Sequence, residues 1–552
     1  MVIAIGIRKI KEYLGWNNLN GFYREKTLLS KLREILQEFS SEVILRELVN
    51  ISSCVSHQRG NNENILRNRY FGELLIKNIK DYELVEQKTH YIFHKRAILM
   101  FYILAINYCN DKCQKQSDIK IIGKGFLFIN SLLPLIDYGI ENKENVSDFY
   151  IRNSIFHHTP CVSHSLPRAY IVYQKIGTFD FEEFYANKGF DLNSYFLCVF
   201  AIQALFSKGM FFKGSVFDSF TKDYCQKVKN AFHFILNDEK VTIKNFKKLN
   251  SNIIYQFFSF RQSPILEFNN DEFACLYKEF LEDLYWNGIY YSVVDPKIKD
   301  KIKDDFLQKM GDAFEKYALS LTEWTLKDRV KKMITPKDNP LNDCVIEIEP
   351  DWIMVIEFKH TRQDSQTISG ISPTKKIFER ILYRGTTSGN AKKGLRQLFK
   401  RINEFRENNK KIRITPVLII ADIFPVFKES WGTWEEFLIE DEEYKKFISC
   451  NSNDFPLLAG IEAWERLLSL ITRKDATIKD ILNFREKHDG KYYDLYNLVR
   501  SFSQVKKIVE NPHPLLFSVL GDWIETYPIK SNNTSLDNNK RIAPKHKWQN
   551  VF

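Results

Sequence analysis

The stretch "LNDCVIEIEPDWIMVIEFKHTR", residues 341–362, decides how the C-terminal half of this chain is read. Two apolar runs, "CVIEIE" and "WIMVIEFK", flank a Pro-Asp pair, a pattern that predicts a β-hairpin with its turn at Pro350 and Asp351. The second run ends in Glu357 and Lys359 directly after "WIMVI", which reads as the interior of a sheet. Burying an unpartnered charge costs several kcal/mol, so this strand end needs a compensating partner.

Side chains alternate along a strand, so each arm divides into two faces. Cys344, Ile346, Ile348, Trp352, Met354, Ile356 and Phe358 form an apolar face, expected to lie in the core. Asp343, Val345, Glu347 and Glu349 join Ile353, Val355, Glu357 and Lys359 on the other, which turns polar at the open end. A slip of one residue would exchange the faces. A two-residue turn would set Asp343 opposite Phe358 and separate the acids. A three-residue loop of Pro350, Asp351 and Trp352, or an equivalent bulge, keeps both faces consistent and is the expected register. Asp343 and Glu357 then converge beside Lys359. Two neighbouring carboxylates resist joint ionisation unless a cation lies between them, and oxygen-only ligands with room for water and phosphate suit Mg²⁺ or Mn²⁺.

The order Asp343, then Glu357-Phe358-Lys359 on a hairpin, resembles the PD-(D/E)XK nuclease superfamily. The helix "MGDAFEKYALSLTEW" before it resembles that family's first core helix, with Gly311 and Glu315 in a Gly-x-x-x-Glu arrangement. Glu315 borders an apolar stripe of Met310, Phe314, Tyr317, Ala318 and Leu321. The helix "AKKGLRQLFKRINEF" resembles the second, in which a Gln or Lys points at the site, and Lys393 and Gln397 match that position. The resemblance covers about residues 268–475 and departs from the family at two places. Pro350-Asp351 sits too close to Glu357 for the usual Pro-Asp, so Asp343 takes the metal role, and Arg401 stands where some members have a tyrosine.

What the resemblance implies is an α/β restriction-endonuclease-like mixed sheet flanked by helices, behind a mainly helical N-terminal region. The activity implied is Mg²⁺- or Mn²⁺-dependent hydrolysis of phosphodiester bonds, with DNA ahead of RNA as substrate, in a setting such as defence, restriction or repair. Asp343 and Glu357, with the Phe358 carbonyl, would hold the metal, while Lys359 would orient or help deprotonate the attacking water. Glu315 would support this metal or a second one, and Gln397 would face the site. Lys392, Lys393, Arg396, Lys400 and Arg401 would hold the nucleic-acid backbone, contacts that position a strand without reading its sequence. The rival is a catalytically silent nucleic-acid-binding or assembly module on the same fold, against which the intact Asp343, Glu357 and Lys359 argue.

The charge distribution agrees with a phosphate-facing surface. Between Pro373 and Arg413 stand thirteen Lys and Arg against three Glu, so this window carries nearly all of the net charge of +11. At 552 residues, with 44% hydrophobic and 27% charged residues, the chain has the composition of a multidomain globular protein and not of a disordered one. Nine cysteines in no framework spacing and an N-terminus without a secretory pattern point to the cytoplasm. The apolar runs "AILMFYILAI" and "YFLCVFAIQALF" are too short for a bilayer and read as buried helices, so no membrane partner is expected.

Residues 1–125 and 126–267 read as helical regions suited to regulation, sensing, a protein partner or self-association. Residues 268–529 read as the nuclease-like domain and 530–552 as a polar tail. Within 268–529 the pattern predicts helices at about 270–285 and 298–325, the hairpin at about 343–361, a helix at about 391–408 and a strand at 412–422. "FPLLAGIEAWERLLSLIT" reads as a short strand or turn feeding a helix. His360 alternates onto the apolar face as a core histidine. "CVSH" at Cys54–His57 and Cys161–His164, and the pair Cys109 and Cys113, match no common zinc spacing.

Overall fold

In a computed structural model, residues 25–57, 59–71, 92–110, 119–141, 162–208, 211–219, 222–242, 264–268, 271–338 (except 296), 343–362, 394–408, 412–422, 441–450, 456–488, 494–509 and 511–526 are described, with a few isolated positions between them. They form two compact units, one of residues 1–145 and 186–284, the other of residues 146–185 and 285–552. These units follow contacts in space, so they cut across the sequential boundaries at 125/126 and 267/268: residues 146–185 join the C-terminal unit.

The first unit is largely helical. Its long helices include Ser41–His57, Lys95–Tyr108, Ile119–Glu141, Leu192–Lys208 and Lys222–Glu239. The run "AILMFYILAI" lies buried within Lys95–Tyr108. Among the described residues no helix is long and apolar enough to cross a membrane. A small sheet runs Phe211–Lys213, Glu272–Cys275, Ile265–Phe268, Lys240–Thr242. The helix expected over 270–285 is therefore corrected: Glu272–Cys275 is a strand, and helix resumes at Lys278–Asp283. Four residues are too few for a period of two to declare itself against 3.6.

The second unit is built on a five-stranded mixed sheet of β1 (Lys332–Ile334), β2 (Cys344–Glu349), β3 (Trp352–Lys359), β4 (Arg413–Ile420) and β5 (Leu457–Gly460), in that spatial order. β1, β2 and β3 are antiparallel neighbours, whereas β3, β4 and β5 are parallel. Parallel neighbours need a crossover. β3 and β4 are joined through a chain segment containing α3 (Leu395–Asn408), and β4 and β5 through one containing α4 (Glu442–Cys450). Ahead of the sheet come α1 (Val162–Ala169) and the long α2 (Asp300–Leu326); after it come α5 (Ile461–Thr472), α6 (Ile478–Lys487), α7 (Leu495–Lys506) and α8 (Pro514–Thr526).

Leu395, Leu398, Phe399 and Ile402 recur at helical spacing, so α3 turns one stripe inward. It packs on Val345, Ile353, Val355, Ile414 and Leu418, with Tyr444 and Phe447 of α4 closing the cluster. α2 and α5 also pack against the sheet and each other. Cover on both faces explains why β3 and β4 are near-continuous buried runs.

Of the two expected forms, the three-residue loop or an equivalent bulge, the hairpin takes the bulge. Glu349 pairs with Trp352, so the turn is the two-residue Pro350-Asp351, and Trp352 belongs to β3. The register then shifts between Glu347 and Glu349, after which Glu347 faces Ile353 and Cys344 faces Ile356. This is a β-bulge at Ile348, the extra residue that the short turn leaves over. Continuing the register one step sets Asp343 across from Glu357, so parity is restored by the bulge and not by the loop.

Candidate active site

The sheet and α2 bring four charged side chains read from sequence to one strand end. Asp343 lies just before β2, and its Oδ2 accepts a hydrogen bond from the Phe358 backbone N–H at 2.9 Å. The N–H and C=O of one strand residue point to the same side, so the Phe358 carbonyl faces that edge too, while its side chain stays in the core. Glu357 is 0% exposed. Lys359 Nζ lies 2.7 Å from Glu357 Oε1, 3.3 Å from Glu315 Oε1 and 3.8 Å from Asp343 Oδ2. Glu315, on α2, is the solvent-facing member, with 44% of its side chain exposed.

A fifth residue completes the cluster. Arg401 of α3 is buried, with Nη1 3.5 Å from Asp343 Oδ1 and in contact with Glu357 Oε2. Expected from sequence to hold a nucleic-acid backbone, Arg401 here turns its guanidinium to the two acids. Position 401 is three residues after Leu398 and four before Phe405, on the flank of the apolar stripe, a spacing that marks an edge without saying which way the head turns. The other basic residues divide. Arg396 pairs with Asp441 at 3.0 Å, exposed Lys400 lies 3.5 Å from Glu404, and Lys392 and Lys393 fall outside the described residues. Gln397 sits one turn before Arg401 on α3 and, among the described residues, donates no hydrogen bond to the acids.

Electrostatics follow from burial. Loss of solvent, then the adjacent Asp343 charge, pushes the Glu357 carboxyl up to about 7. Burial also raises Glu315. Burial works against the Lys359 charge, but Glu357, Asp343 and Glu315 overcome it and hold the ammonium above the ordinary lysine range. Lys359 is thus a fixed donor and positive charge in this arrangement. His360 packs between the rings of Tyr290 and Phe314, and burial followed by the Arg362 charge keeps it well below the usual histidine range.

The strand end is braced from behind. The Lys359 carbonyl accepts from the N–H groups of Thr361 at 2.7 Å and Ala421 at 3.1 Å, and the Ala421 carbonyl accepts from Trp286 Nε1 at 3.1 Å. Buried Arg362 donates to Asn287 Oδ1 at 2.5 Å and to the Tyr173 hydroxyl at 2.9 Å, and its guanidinium stacks 4.1 Å from the Tyr290 ring centre. Tyr173 and Trp286 lie on π-helical turns, Tyr170–Ile176 and Leu284–Gly288. Sequence reasoning passed over Arg362, whose signal was an arginine three residues beyond the Glu-x-Lys.

Among the described residues no group of three or more His, Cys, Asp or Glu is arranged to hold a metal ion. His164 Nδ1 lies 3.1 Å from Glu465 Oε2, and Cys161 lies outside the described residues. Asp343 and Glu357 nevertheless form a donor set suited to Mg²⁺ or Mn²⁺, which take one or two carboxylates and fill the remaining positions with water and phosphate oxygens. Glu357 supports that fit: with Lys359 2.7 Å from Oε1 and Arg401 at Oε2, burial beside Asp343 still disfavours its charged form, as in an acid short of positive charge. No family model, curated protein or solved structure matches this chain.

Proposed function

We propose that the chain is a metal-dependent nuclease acting on DNA, in the manner of the PD-(D/E)XK proteins that its hairpin resembles. One observation carries this reading: Asp343, Glu357 and Glu315 gather around Lys359 at the end of a hairpin in a mixed sheet flanked by helices. Asp343, Glu357 and the Phe358 carbonyl would hold Mg²⁺ or Mn²⁺, with Glu315 at the solvent side. When bound, such an ion polarises a phosphate and lowers the pKa of its water. The Lys359 ammonium would donate to the water or to a phosphoryl oxygen and oppose the negative charge that develops there. Arg362 and the Trp286–Ala421 contact would keep Lys359 from drifting, since small misplacements of catalytic groups are costly in rate.

The test is digestion of single- and double-stranded DNA and RNA with Mg²⁺ or Mn²⁺, against a chelated control. Cleavage of DNA that stops on chelation supports the reading. Binding without cleavage under every metal condition favours the silent module, for which one observation speaks: the acid pair is already neutralised by Lys359 and Arg401.

A further inference from the structure

Each carboxylate oxygen of Asp343 and Glu357 faces a cationic nitrogen. Asp343 Oδ1 and Glu357 Oε2 meet Arg401 Nη1, while Asp343 Oδ2 and Glu357 Oε1 meet Lys359 Nζ. The pair is therefore electrically closed before any metal arrives. A divalent ion placed between the acids would face two cations already there, so one cation has to leave or find a new anion.

The geometry singles out Arg401 as the one that moves. Lys359 is held by a third carboxylate, Glu315, and by a backbone pinned through Ala421 and Thr361. Arg401 approaches from a different element, α3, and has two carboxylate partners to the three of Lys359: Glu357, in close contact, and Asp343 at 3.5 Å. A guanidinium fork fits a phosphate as well as a carboxylate, so a DNA backbone offers it an equivalent anion.

Resting on the nuclease reading, we propose that Arg401 is an exchangeable counter-ion that couples metal binding to DNA binding. Without DNA it closes the acid pair against the metal. A DNA phosphate draws the guanidinium away and opens the pair, so metal and DNA each tighten the binding of the other, a reciprocity that linkage requires. The device keeps the acids unloaded until a substrate backbone is present.

Calorimetry of Mn²⁺ binding to the full chain tests this, with and without a short DNA duplex carrying phosphorothioate linkages. In the wild-type chain the duplex should tighten Mn²⁺ binding by roughly tenfold, within the usual range of coupling between sites. Arg401→Gln should bind Mn²⁺ roughly tenfold more tightly than wild type without DNA, and the duplex should add little more. Equal Mn²⁺ affinity in the two chains overturns the proposal. Should Arg401→Gln not fold, the wild-type comparison reads the same linkage, and absence of tightening by DNA overturns it. A wild-type chain that cleaves DNA without showing the coupling removes this inference alone; one that neither binds Mn²⁺ nor cleaves removes the nuclease reading with it.

Discussion

Glu357 and Glu465 are both fully buried acids of the same unit, yet their surroundings drive them in opposite directions. On α5, Glu465 accepts from the Tyr317 hydroxyl at 2.7 Å, with His164 Nδ1 3.1 Å and Arg168 Nε 3.3 Å away. Burial alone would raise its pKa, but Arg168, His164 and Tyr317 together hold it below the ordinary carboxylate range. Glu357 has two cations beside it as well. It also has a second acid, Asp343, across the hairpin, and burial together with that neighbouring charge outweighs the two cations and lifts it to about 7. With burial equal, the neighbouring acid separates a carboxylate that ties α1, α2 and α5 together from one whose charge is opposed where it stands.

Substitutions should split these two acids. Glu465→Gln leaves Arg168 buried without its counter-charge, and the expected loss is about 3–5 kcal/mol in chemical denaturation. Glu357→Gln should instead abolish metal-dependent DNA cleavage while the chain stays folded, because it removes a charge the fold tolerates poorly. A Glu357→Gln chain that unfolds as readily as Glu465→Gln would erase the distinction. Lys359→Ala should likewise lose cleavage with the fold retained, read by activity beside circular dichroism.

pH sharpens the contrast without a substrate. The folded pKa of Glu357, about 7, lies above its ordinary 4.5. The folded chain therefore holds that proton more tightly than the unfolded chain, and ionisation erodes stability as pH rises between these values. With chelator present, the melting temperature of Glu357→Gln relative to wild type should climb across that window and level off above it. Subtraction cancels Asp494, the N-cap of α7, which burial also pushes up to about 7. Glu465 has the opposite sign, its stabilisation being lost as pH falls, so Glu465→Gln should be least damaging in acid.

Smaller effects belong to the surface. Changing Lys393 and Lys400 together to Ala should lower the slope of log DNA affinity against log salt by about two units if both touch phosphates. At Gly311 on α2 a Cβ would meet open space, so Gly311→Ala should raise stability by about 0.5–1 kcal/mol through helix propensity. Lost cleavage in that more stable variant would mean that a substrate backbone passes close to this turn of α2.

The elements carrying the site were legible because their periods are long and clean. The stripe Leu395, Leu398, Phe399, Ile402 announced α3, and "WIMVIEFK" could only be a buried strand. The convergence of Asp343, Glu357 and Lys359 followed from alternation once parity was right. Which of the two expected devices restores that parity, loop or bulge, was not legible, because "EIEP" alternates regularly through Ile348 and a bulge leaves no mark in such a pattern. Arg401 and Glu465 were hidden for a common reason: a charged residue on the edge of a helical stripe looks the same in sequence whether its head reaches water or a buried partner. The division into units was hidden as well, since a segment's neighbours in space are not written in its composition.

The bulge at Ile348 has a consequence for how this hairpin can change length. Because Glu349 still faces Trp352 on one side of it and Glu347 faces Ile353 on the other, Ile348 is a spare link. Deleting it should let β2 run straight while Asp343 stays across from Glu357, and cleavage should survive. Deleting Met354 from β3, which has no such slack and is paired on both sides, should carry Glu357 to the wrong face and end activity. One strand of the hairpin can therefore absorb the loss of a residue, and the other cannot.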